Sequence, residues 1–179
     1  MLRVNETTLL LIDAQEKLFR VIPDNDILLT NLQKLIRGCE ILEIPVIVTE
    51  QNPAGLGTTI ADLSGLLSDA PRITKFTFSC CAESSFMEQL AATGRKQILI
   101  CGIESHICVY QTTVDLLLHG YEPNVVTDCV ASRTRENKTL ALNRLNAEGV
   151  KMTGVEMALF ELLRTAEAEQ FKAISSLIK

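Results

Sequence analysis

The apolar residues of this chain fall into short unbroken runs that alternate with longer periodic stretches. TTLLLID (7–13), IPVIVTE (44–50), KQILICG (96–102) and EPNVVTD (122–128) read as strands, because consecutive apolar positions suit a strand covered on both faces. RITKFTFS (72–79) and KMTGV (151–155) complete a set of six. Between them lie stretches with apolar residues three and four apart: 24–43, 82–94, 105–120 and 132–149 predict helices, and ALFELLRTAEAEQFKAISSLIK reads as helix to the end. The segment 51–70 carries Pro and Gly punctuation and reads as a loop, a candidate lid or partner contact. Strands apolar on both faces, each followed by a helix, require a sheet covered on both sides. The expected fold is α/β: a doubly wound, mainly parallel six-stranded sheet with helices on both faces, as one domain over 1–179. Ligands in such folds sit at the carboxyl ends of the strands, near the point where strand order reverses.

Composition narrows the function. No apolar stretch reaches the ~18 residues of a membrane span, and the first residues, MLRVNETTLLLIDAQ, lack the basic start and cleavage site of a secretory signal. A net charge of −5 without a Lys/Arg stripe argues against nucleic acid as partner. Six cysteines without a leader point to reduced thiols and a cytosolic setting. No C-x-x-C pair occurs, and the two histidines, His106 and His119, form no ligand pattern, so neither metal nor cofactor is expected.

Three reactive side chains fall near strand ends: Asp13 after the first strand, Lys75 near the third, and Cys108 at the start of the helix after the fourth. As a set they make chemical sense. The acid takes the thiol proton, the amine favours the thiolate, and unpaired amides at the helix start hold an oxyanion. A thiol in the first turn of a helix tends toward the thiolate. Each residue also has a plainer role: Asp13 as a helix cap or a ligand for Mg²⁺ or phosphate, Lys75 as a solvated strand residue, and Cys108 as a small buried apolar group.

LLLIDAQEKL, ITKF and GIESHICVYQTTVDLLLHGYEPNVVTDCVASRT, in this order and spacing, closely resemble the isochorismatase-like cysteine hydrolase superfamily, which includes nicotinamidases and carbamoylsarcosine amidohydrolases. IPVIVTEQNPAGLGTTIADL also resembles the small isochorismatase-domain-containing proteins within it. The resemblance covers nearly the whole chain and implies a Rossmann-like three-layer fold. It implies Asp13 as general base, Lys75 as charged partner and Cys108 as nucleophile. It further implies a cis peptide at Ile103–Glu104 and an oxyanion hole from the amides of Glu104 and Cys108. Two departures matter. TEQNPAGLGTT lacks the histidine of the nicotinamidase metal site, and Cys108 favours acyl transfer through a thioester over vinyl-ether cleavage. The implied activity is hydrolysis of a C–N bond in a small amide. The competing readings are a catalytically silent scaffold of the same fold and a redox-sensing thiol protein.

Other residues carry weaker signals. His106 lies two positions before Cys108, and residues two apart on a helix do not face each other, so it reads as a surface or interface histidine. Gln15 and Phe19 are candidates to line a substrate pocket, Glu50 to face the crevice or a neighbour. Cys80 and Cys81 read as helix-start packing, with reactive thiols as the alternative, Cys101 as strand core, and Cys129 as a possible pocket residue beside Asp128. The expected partners are a small-molecule substrate and further copies of the chain. The 51–70 loop and FKAISSLIK are the candidate contacts between copies.

Overall fold

In a computed structural model, which describes residues 1–179, the first strand, β1 (Thr7–Ile12), is buried at all six positions. Its side chains divide between two cores. Leu9 and Leu11 join a cluster of 28 buried residues on one face of the sheet. Leu10 and Ile12 join a cluster of 16 on the other. β4 (Gln97–Ile103) repeats the division, with Leu99, Cys101 and Ile103 facing one way and Ile98 and Ile100 the other. The period of two along a strand, buried on both sides, produces the unbroken apolar runs of the sequence.

With β2 (Val46–Gln51), β3 (Arg72–Lys75), β5 (Glu122–Ala131) and β6 (Lys151–Thr153), the sheet has six strands in the order β3-β2-β1-β4-β5-β6, and every pairing is parallel. The order reverses between β1 and β4, so the crevice of a doubly wound sheet opens at their carboxyl ends. The helices, in chain order, are α1 (Glu16–Phe19), α2 (Asn25–Ile41), α3 (Pro53–Leu56), α4 (Ala61–Ser64), α5 (Ser84–Ala92), α6 (Tyr110–Leu118), α7 (Arg135–Ala147), α8 (Val155–Leu163) and α9 (Phe171–Ile178). α2, α8 and α9 cover the larger core, while α5, α6 and α7 cover the smaller. No helix is long and apolar enough to cross a membrane.

Several boundaries differ from the sequence reading. β3 stops at Lys75 rather than continuing to residue 79, and Phe76 and Phe78 stand out at 72% and 54% exposure. β5 runs on to Ala131, past a register slip: from Ile100 to Gly102, β4 advances two residues while its partners on β5 advance five, Val125 to Val130. The C-terminal helix is two helices, broken where Arg164 takes a left-handed φ of 71°. The 51–70 loop contains α3 and α4, and Thr59 pairs with Gln15 in an isolated bridge.

Candidate active site

β1 delivers Asp13 to the switch point. The residue takes a left-handed backbone conformation, φ 49°, and its N–H donates to the Thr49 carbonyl at 3.1 Å, which turns the side chain back over the end of β2. Oδ1 accepts from the Thr49 hydroxyl at 2.8 Å, and Oδ2 lies 2.7 Å from Lys75 Nζ. Both charged side chains are fully buried. Lys75 is the last residue of β3, in register with Gln51. Beyond this ion-pair contact, its ammonium donates to Gln51 Oε1 at 2.8 Å and to the Thr77 and Phe78 carbonyls at 3.2 Å each. Three N–H bonds thus face four acceptors, as an ammonium retained away from water requires. Burial is the largest single influence and would lower the lysine pKa; the charge and hydrogen bonding of the Asp13 carboxylate oppose it, and the net direction is up.

The nucleophile turn comes from the adjoining strand. Gly102 in β4 has φ +115°, and a Cβ there would meet the Ile12 carbonyl oxygen at 2.0 Å. Only glycine lets β4 pass this close to the end of β1. The Ile103–Glu104 peptide is cis. Ser105–Val109 then form a π-helical turn, with Val109 N–H donating to the Glu104 carbonyl at 3.3 Å, before α6 begins. Wide turns of this kind recur at functional sites. Cys108 sits on it, buried, where both the Asp13 carboxylate and the Lys75 ammonium act on its thiol. Burial, with the Asp13 carboxylate acting in the same direction against the opposing pull of Lys75, pushes the Cys108 pKa up to about 12. This runs against the expected tendency toward a thiolate: burial and the nearby Asp13 carboxylate favour the neutral thiol of Cys108.

The structure thus brings Asp13, Lys75 and Cys108 together and places other candidates elsewhere. Gln15 is fully buried and spent on the loop: its amide donates to the Gln51 and Gly57 carbonyls at 3.0 and 2.6 Å and accepts from Gln51 N–H at 2.7 Å. Phe19 packs in the larger core with Ile22 and Leu28. Glu50 holds Thr59 through its N–H and hydroxyl at 2.8 and 2.7 Å, another latch on the same loop. His106 turns away from Cys108, its Nδ1 3.0 Å from Ser132 Oγ. Glu104 engages Arg133, accepting from its backbone N–H at 3.1 Å and from Nε at 3.0 Å.

Thr49 and Gln51, near the charge pair, escaped the sequence reading, and Cys80, read there as packing, lies close to it as well. Thr49 and Gln51 hold the Asp13–Lys75 pair from β2, the strand lying between β1 and β3. The polar tail TEQ on an otherwise apolar strand was the available signal. Cys80 is fully buried, with Sγ 3.8 Å from the Thr49 hydroxyl, and lies within the influence of Asp13 and Lys75. Burial and the carboxylate push its pKa up to about 11. No group of three or more His, Cys, Asp or Glu side chains is placed to hold a metal ion.

Fold and crevice together define a doubly wound α/β protein with an Asp–Lys–Cys constellation at the sheet's switch point. The isochorismatase domain model matches residues 7–157, and the chain belongs to the isochorismatase family. It is 37% identical to the secreted isochorismatase effector Isc1 of Phytophthora sojae, over 93% of this chain and 90% of that protein. Among solved structures it resembles the MAR1 ribonuclease of Caenorhabditis elegans, with TM-score 0.94 and 33% identity over 99% of this chain and 91% of the other. It also resembles YcaC of Pseudomonas aeruginosa, solved with hexane-2,5-diol and covalent acrylamide, with TM-score 0.92 and 26% identity over 98% and 90% of the two chains.

Proposed function

We propose that the protein is a cysteine hydrolase that cleaves the C–N bond of a small amide through a thioester. The observation that carries this reading is the buried Asp13–Lys75 contact at 2.7 Å with the buried Cys108 thiol within reach of both charges. A neutral thiol is a poor nucleophile, so a base must remove its proton as it attacks. Asp13 is placed for that work. In the first half-reaction Asp13 takes the Cys108 proton while sulfur bonds to the carbonyl carbon. The amides of Glu104 and Cys108 hold the oxyanion. The C–N bond then breaks as Asp13 returns the proton to the leaving amine. In the second, Asp13 takes a proton from water, hydroxide adds to the thioester, and the C–S bond breaks with the proton returning to sulfur. Lys75 stays charged throughout and keeps Asp13 ionised between steps.

The acrylamide bound covalently in the Pseudomonas structure supports the reading, since an amide-bearing electrophile reacted within a chain of this fold. The ribonuclease name of the nematode neighbour does not carry over easily to a chain of net charge −5. Further copies of the chain remain the proposed macromolecular partners, with the exposed Phe76 and Phe78 beside the site as candidate contacts.

Acid quench during turnover of a panel of small aliphatic amides, followed by peptide mass spectrometry, tests the proposal. Ammonia release with an acyl group on the Cys108 peptide is the expected result. Turnover at the wild-type rate by Cys108→Ala would remove the nucleophile and the proposal with it.

A further inference from the structure

A cavity of about 420 Å³ is lined by none of Asp13, Lys75 and Cys108. It lies across the carboxyl end of β5, between the first turns of α2 and α7, and its volume falls in the range of small-molecule sites. The floor is apolar, from Leu28, Val130, Ala131 and Leu142. Charges of both signs stand on its walls, and three of the four have a partner within bonding distance. Arg135 pairs with Asp24 at 2.8 Å. Both carboxylate oxygens of Asp128 accept from the Val155 N–H that begins α8, at 3.0 and 3.2 Å. Lys138 is the exception. It is half-buried, and its ammonium has neither an ion pair nor a hydrogen bond within the chain. A partly desolvated cation without an acceptor is unfavourable unless something supplies one. Consistent with this, burial lowers the Lys138 pKa against the pull of Asp128.

We propose that this cavity binds a small organic anion, a carboxylate on an apolar body, with Lys138 as its counter-ion. The apolar floor takes the body and the ammonium takes the head. An inorganic anion would leave the floor uncovered, and a cationic ligand would meet the unpaired Lys138 ammonium. The site is separate from the candidate active site but joined to it: Ser132 on the cavity wall touches His106, and its neighbour Arg133 holds Glu104.

Titration of the ¹⁵N-labelled full chain with sodium hexanoate, with 1-hexanol as the neutral match, tests this. Hexanoate is expected to shift the amides of 24–31 and 130–142 saturably and to bind more tightly than hexanol. Lys138→Gln and Lys138→Met, each checked for its fold by circular dichroism, are expected to raise the hexanoate Kd about tenfold and leave hexanol unchanged, the loss of one charge-assisted contact. Cys108→Ala should bind hexanoate as the wild type does. Equal Kd values across both Lys138 variants, loss of binding in Cys108→Ala, or no saturable shift at all would each overturn the proposal.

Discussion

Replacing Lys75 by methionine removes the ammonium and leaves a side chain of similar length. The Asp13 carboxylate would then be fully buried with the Thr49 hydroxyl as its one side-chain donor, and Gln51 Oε1 and the Thr77 and Phe78 carbonyls would lose the donor they share. Breaking a buried pair by deleting one partner costs about 3–5 kcal/mol, and unmet neutral acceptors add about 1 kcal/mol where water cannot reach them. The sum, about 4–6 kcal/mol, is comparable with the whole stability of an ordinary domain, about 5–15 kcal/mol. Asp13→Asn/Lys75→Met lacks both charges, so its loss should be smaller than the two single losses added, by about 2–3 kcal/mol. Urea denaturation of the four proteins at pH 7 closes the cycle. A loss below about 1 kcal/mol for Lys75→Met, or strict additivity in the double variant, would show that the pair does not hold the site together.

Further predictions rest on other parts of the structure. Gly102→Ala would drive a methyl group into the Ile12 carbonyl oxygen and force φ +115° on a residue with a side chain; a loss of about 3 kcal/mol or more is expected in the same denaturation assay, and a wild-type midpoint would refute the close approach. Burial pushes the Cys39 and Cys108 thiols from 9.0 to about 12, and Cys80 to about 11. Folded thiols therefore keep protons that the unfolded chain releases above pH 9, so stability should fall as pH rises from about 9 toward 11, each thiol contributing about 1.4 kcal/mol per pH unit. Thermal melts from pH 8 to 10.5 read that slope, Cys39→Ala should flatten it by one proton, and a flat profile would contradict the burial. Thr49→Val keeps the shape and deletes the donor to Asp13 Oδ1, a bond to a charged group; a loss of about 2 kcal/mol is expected, and no change would mean that the hydroxyl does not hold the carboxylate.

The sheet was legible because β1 and β4 are buried on both faces, which leaves no polar positions to interrupt their apolar runs. Asp13, Lys75 and Cys108 were legible as polar or reactive residues close to such runs. Features that depend on three-dimensional enclosure were not. KFTFS alternates like a strand, yet the chain bends after Lys75 so that the Thr77 and Phe78 carbonyls reach the ammonium, and the two aromatic rings face outward. RTAEAEQ is rich in good helix formers but has no apolar face to bury, and the helix breaks there because packing rather than propensity sustains helices of this length. The thiolate reading of Cys108 followed from its place at a helix start. A linear sequence could not show that a carboxylate and near-complete burial would act in the opposite sense. Gln15 looked like a pocket residue, and only the fold reveals that its amide clasps the loop beginning at Gln51.

The most direct test of the central claim is site-resolved alkylation of all six cysteines by acrylamide at pH 7, comparing wild type with Asp13→Asn. Cys39, Cys80, Cys101 and Cys129 are buried, and Cys81 is the one cysteine with substantial exposure. Simple accessibility therefore favours Cys81. If Asp13 takes the proton of Cys108, Cys108 outpaces Cys81 in the wild type and loses that advantage in Asp13→Asn. Labelling led by Cys81, or a Cys108 rate indifferent to Asp13→Asn, would contradict the account.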